Sequence, residues 1–182
     1  MKKTEPSKSE LERWENKALR ELAKILDAAV DRSDLYALAW RNKICSLPWT
    51  LSVRFTGTPE MIRINHRWRG KKAPTDILSF PAPEVFRDQG MLGELVVCLP
   101  VLQAQARESG HSPSEELRVL LVHGVLHLLG LDHEKNRYQL IKQARLEGEL
   151  LKALGSKARS GLIDRMRPNA QKRRPAGSRR TQ

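Results

Sequence analysis

The 182-residue sequence holds no run of about 18 apolar residues, the length a helix needs to cross a bilayer, so no membrane-spanning segment is expected. It opens Met1-Lys2-Lys3-Thr4-Glu5-Pro6 with no apolar stretch behind it, so no secretory signal is expected and the predicted location is the cytoplasm. Cysteine is scarce. Cys45 and Cys98 lie far apart in apolar neighbourhoods, which excludes a disulfide framework, fits buried thiols in a reducing compartment, and makes neither a candidate metal ligand. The length falls short of two ordinary domains, while 40% hydrophobic residues suffice for one core. Acidic residues are also in deficit, 21 against 33 Lys and Arg, for a net charge of +12. That balance favours a polyanionic partner. From Lys157 to Gln182 nine basic residues stand against Asp164 alone, so this tail carries +8 and the rest of the chain +4.

The polar residues 1–8 are expected to be unstructured, residues 9–155 to form a single domain, and 156–182 to be a basic, solvated tail. Leu11, Trp14, Leu19, Leu22, Ile25, Leu26 and Val30 recur at helical spacing and predict a helix over 9–30, with a shorter one over 35–44. Alternation over Trp49 to Phe55 predicts a half-buried strand. Thr58-Pro59-Glu60 opens a helix that leads into a basic turn over Arg67-Trp68-Arg69-Gly70-Lys71-Lys72. The runs 76–80 and 92–99 read as strands of the same sheet, and Pro100 opens a helix that Gly110 ends. Ser112-Pro113-Ser114-Glu115 predicts an N-cap, and the helix runs to about Leu129 with Gly130 as its left-handed stop. A last helix spans about Glu134 to Leu154, with Leu140, Ile141, Leu146, Leu150 and Leu151 as its core face.

The most specific signal is His123-Gly124-Val125-Leu126-His127-Leu128-Leu129-Gly130-Leu131-Asp132-His133. Residues four apart share a helix face, so His123 and His127 can aim both imidazoles at one centre, and a reversal at Gly130 can return His133 as a third ligand. Three imidazoles suit one zinc ion and leave a fourth tetrahedral position open, as in catalytic sites. Cobalt, nickel or iron would also accept these ligands. Zinc peptidases place a glutamate directly after the first histidine as general base. Gly124 stands there instead, which argues against peptide hydrolysis.

These residues resemble the YbeY family, bacterial metal-dependent endoribonucleases that mature ribosomal RNA. Besides the histidine run, the resemblance rests on Asn65-His66-Arg67-Trp68-Arg69-Gly70, on Pro74-Thr75-Asp76-Ile77-Leu78-Ser79-Phe80-Pro81 and on Leu92-Gly93-Glu94-Leu95-Val96-Val97-Cys98, and it covers about residues 49–155. It implies an α+β domain, a small mixed sheet packed by several helices, with zinc held by a helix and its following turn. It also implies cleavage of single-stranded RNA in 16S rRNA 3′-end processing and ribosome quality control, with a single-stranded rRNA precursor and the ribosome or its small subunit as partners. Asp132 then falls beside the metal and Arg69 becomes a functional residue. The chain departs from the family's pattern at Lys72 and Ala73, where an acidic residue is usual, at Glu94 in place of aspartate, and in showing no opening strand before the first helix.

Arg69 can hold a scissile phosphate bidentately, or be a solvated arginine beside Lys71 and Lys72. Asp132 orients a histidine ligand, caps the last helix, or does both. Asp76 and Ser79 are expected to fix the turn and strand. Trp68 stacks on an RNA base or is buried in the core. The expected catalytic residues are Arg69 and His123, with His123, His127 and His133 binding one zinc per subunit and Asp132 behind them. Arg67, Trp68, Lys71, Lys72, Arg173 and Arg174 are expected to contact RNA. Two other readings share these residues: a ribosome-assembly binding protein with a structural zinc, and a metallohydrolase with a different substrate. The oligomeric state and the proton acceptor are left open.

Overall fold

A computed structural model describes residues 5–131 and 136–158. The chain runs through α1 (Lys8–Val30), α2 (Ser33–Arg41), β1 (Thr50–Thr56), α3 (Thr58–Arg69), β2 (Ile77–Pro81), α4 (Glu84–Arg87), β3 (Met91–Cys98), α5 (Leu99–Ser109), α6 (Pro113–Leu128) and α7 (Arg137–Ala153). It is an α+β fold around a three-stranded mixed sheet in the order β1-β3-β2, with β1 parallel and β2 antiparallel to the central β3. No helix among the described residues is long and apolar enough to cross a membrane.

Order begins earlier than residue 9. The Ser7 hydroxyl caps α1 by accepting from the Glu10 N–H at 3.2 Å, and the Glu5 carboxylate accepts from the Thr58 N–H at 3.0 Å, where α3 begins. A carboxylate there meets unpaired N–H groups and the positive end of the helix dipole, which ties residues 5–8 down. Residues 1–4 lie outside the described part. The expected basic turn is also displaced: Arg67, Trp68 and Arg69 form the last turn of α3, and the chain reverses only at Gly70, at φ 69°. Basic side chains oppose the negative helix end, so this turn stays helical until glycine permits the left-handed step. Cys98 is buried as expected, but Cys45 is exposed. Ile44 and Trp49 take the inward positions on either side of it, leaving 45–48 outside.

The pleat sends alternate residues to two cores. On one face Phe55, Ile77, Leu95 and Val97 meet α1 and α6, while on the other Leu78, Val96 and Cys98 meet Met61 of α3. Helix α6 is the central element, packing against α1, α5, α7, β2 and β3. Residues 119–126 are buried without interruption, the pattern of a helix apolar all round. Each fully buried leucine there contributes about 1.5–3 kcal/mol by leaving water, so the histidine-bearing helix is held from every side.

Candidate metal centre

Helix α6 starts where Ser112 accepts from the Glu115 N–H at 3.2 Å, with proline in its first turn. One face three turns further on carries His123 and His127, whose ring centroids lie 4.5 Å apart at 66°. His123 is buried and His127 half-buried. The helix stops as anticipated: Leu129 ends it and Gly130 adopts φ 98°. The Asn42 amide donates to the Leu129 carbonyl at 3.0 Å and to the Leu38 carbonyl at 2.9 Å, which fixes the turn against α2. Asp132 and His133 lie outside the described residues. Among the described residues no three His, Cys, Asp or Glu side chains converge into a metal-binding group. The structure therefore brings together two of the three expected ligands.

Helix α7 supplies what sequence reading missed. Its inward face consists of Gln143, Leu146, Glu147, Leu150 and Leu151, whereas Ile141, expected in the core, is 60% exposed. Glu147 Oε1 lies 2.7 Å from His123 Nδ1, and Gln143 Nε2 donates to the same oxygen at 3.1 Å while lying 3.0 Å from Nδ1. The available signal was two polar residues four apart on an otherwise apolar stripe. The helix itself begins at Arg137 and not at Glu134, because the Asn136 side chain accepts from the Gln139 N–H at 2.9 Å. Asn136 is thus the N-cap of α7. Two imidazoles on one helical turn, one with Nδ1 occupied by a carboxylate, suit zinc as a donor set.

Arg69 is the exposed last residue of α3, a helix whose Met61 packs on the opposite sheet face from the one that α6 covers. Beside it, between α3 and the sheet, lies a groove of about 600 Å³ lined by Arg54, Arg63, Arg67, Trp68 and Phe80 with Glu60 and Glu94. Arg54 is tied to Glu60 at 2.7 Å and to Glu94 at 3.4 Å. Trp68 is 64% exposed, so core burial is ruled out; its ring meets Phe80 edge-on at 5.5 Å, with the Arg67 guanidinium 5.7 Å from its centroid. Lys71 and Lys72 are exposed beyond Gly70. Asp76 has a structural role: its Oδ1 accepts from the Ile77 N–H and the Thr75 hydroxyl, and its Oδ2 accepts from Gln105. Buried Asn65 donates to the Ala73 carbonyl at 2.7 Å and so holds the intervening loop. Arg173 and Arg174 lie outside the described residues.

A family model described as Endoribonuclease YbeY matches residues 4–155. The chain is 44% identical over 104 residues to an Endoribonuclease YbeY of Aquifex aeolicus, covering 57% of this chain and 69% of that one. It is 43% identical over 111 residues to the protein of the same name from Salinispora tropica, covering 53% and 71%. The solution structure of a Thermotoga maritima protein, 26% identical, covers 78% of this chain and 86% of its own with a TM-score of 0.47.

Proposed function

The chain belongs to the YbeY family of endoribonucleases, and from that premise we propose that it is a zinc-dependent endoribonuclease cleaving single-stranded RNA, with an rRNA precursor as substrate. The proposed setting is ribosome maturation in the cytoplasm, including 16S rRNA 3′-end processing and quality control on the small subunit. The observation that carries the reading is the pair of adjacent imidazoles on buried α6. His123 and His127 would hold the metal, with His133 as third ligand and Asp132 orienting it. Zinc, when bound, supplies Lewis-acid stabilisation of phosphate charge and activation of the nucleophile.

The remaining work falls to this chain's own groups. Arg69 holds phosphate oxygens; its guanidinium has no proton to release at neutral pH, so it acts as a charged fork and not as a base. Trp68 offers a base-stacking face, while Arg67, Lys71 and Lys72 track the backbone. The test compares wild type with His123→Ala on a labelled single-stranded rRNA precursor, with zinc measured on the same samples. Wild type is expected to carry about one zinc and cleave; the variant is expected to lose both. Equal cleavage by a zinc-free variant would remove the metal from the reaction, and zinc-loaded wild type without cleavage would favour a binding role.

A further inference from the structure

Helical periodicity should make the inner face of α7 apolar, yet Gln143 and Glu147 are each 2% exposed there. Burying two such groups costs stability unless each finds partners. Their geometry supplies those partners around one atom. A carboxylate oxygen only accepts, so Glu147 Oε1, 2.7 Å from His123 Nδ1, takes a hydrogen bond from a proton carried on Nδ1. Gln143 Nε2 has hydrogens of its own, so its 3.1 Å contact to Glu147 Oε1 is a second donation to that oxygen. Its 3.0 Å approach to Nδ1 is the flank of the same triangle. With the proton on Nδ1, the lone pair of His123 sits on Nε2.

We propose that Glu147, braced by Gln143, is a positioning residue that locks His123 in the Nδ1–H tautomer and presents Nε2 as the metal-binding atom. The inference rests on the zinc reading above for its consequence, but its geometric part concerns the ring alone. Both residues sit on α7, so the polar pair also couples the packing of that helix to the orientation of a ligand on α6. A carboxylate on the second nitrogen raises the basicity of an imidazole ligand, and losing such a partner typically costs 10- to 100-fold in metal affinity.

The test uses the full-length chain. Long-range 1H–15N spectra of the metal-free protein should show His123 as the Nδ1–H tautomer in wild type and a shift toward Nε2–H in Glu147→Gln. In competition with a chelator, the Kd for zinc should rise by about 10- to 100-fold in Glu147→Gln. Gln143→Leu, which keeps the carboxylate but removes its brace, should show a smaller rise. A wild-type His123 found as Nε2–H would overturn the proposal whatever the metal does. So would a Glu147→Gln protein that melts earlier yet binds zinc with wild-type affinity, since that is a purely structural role. Wild type in the Nδ1–H form that binds no zinc would instead overturn the metal reading and leave the positioning of the ring supported. If Glu147→Gln does not fold, the wild-type tautomer and the Gln143→Leu affinity decide.

Discussion

At position 124 a glutamate would complete the His-Glu-x-x-His pattern of zinc peptidases, but the fold has no room for it. A Cβ there would lie 2.7 Å from Leu95 Cδ2 and 3.0 Å from Ile77 Cδ1, so glycine is what lets α6 press onto the sheet. Gly124→Ala gains about 1 kcal/mol of helix propensity against about 1–3 kcal/mol of overpacking, and a net loss of up to about 2 kcal/mol is expected. Gly124→Glu adds a carboxylate among Leu95 and Ile77 and should cost more than about 3 kcal/mol. Urea unfolding of both variants checks this; a Gly124→Glu protein as stable as wild type would mean the helix stands further from the sheet. Arg69 invites the opposite expectation, because it is exposed and ends its helix. Its replacement by alanine should leave folding and zinc content unchanged. RNA cleavage should fall by about 100- to 1,000-fold, the cost of removing one transition-state donor. Arg69→Lys keeps the charge and loses the fork, so it should fall between the two. Wild-type cleavage by zinc-loaded Arg69→Ala would take this residue out of the mechanism.

Between elements, the long α1 is tied to α6 by charge as well as by its apolar stripe. Arg118 Nε donates to Glu21 Oε2 at 2.8 Å and Arg118 Nη1 to Glu115 at 2.8 Å. The hydrogen bond from Arg118, with that from Lys24, holds the Glu21 carboxyl below the ordinary carboxylate range. A folded pKa below the unfolded one gives stability that is complete above the usual carboxylate value of about 4.3 and is lost as pH falls through the folded value. Glu21→Gln should therefore be less stable than wild type at neutral pH, and the gap should close in strong acid. Denaturation at pH 7 and near pH 2 measures it; an unchanged gap would mean the link is not ionic. The elements most legible in the sequence were those punctuated locally. Ser112 and Gly130 bracket α6, Gly110 ends α5, and alternation marks β1. What escaped depended on distant partners. Glu5 is ordered by Thr58, fifty-three residues on, and Glu147 by His123, twenty-four residues back. Periodicity registers a polar residue on an apolar face only as an interruption, and cannot say which imidazole waits opposite.

Charge on the whole molecule is concentrated at one end of the chain, and the described residues mark how far the folded body reaches. Ser156 Oγ donates to Glu115 at 2.5 Å, and Ala158 packs against the main cluster. Residues up to 158 therefore belong to the folded body. Residues 159–182 lie outside the described part, and they hold eight basic residues, Arg173 and Arg174 among them, against Asp164. Removing them strips +7 from a chain of net +12 and deletes none of the residues of the histidine helix, Arg69 or the α3 groove. Binding to single-stranded RNA releases roughly 0.7 counterion per neutralised phosphate, so each lost contact lowers both the affinity and the steepness of its salt dependence. Truncation after Ala158 is thus expected to weaken RNA binding most at low salt and to flatten the plot of log affinity against log salt. The cleavage rate at saturating RNA should stay near that of the full chain if the tail contributes attraction and not chemistry. Titrations of both forms from low to physiological salt, with single-turnover cleavage on the same RNA, separate the two effects. Parallel salt plots for the two forms would show that the tail contacts no phosphate, and a slowed saturated rate would place tail residues at the reacting centre.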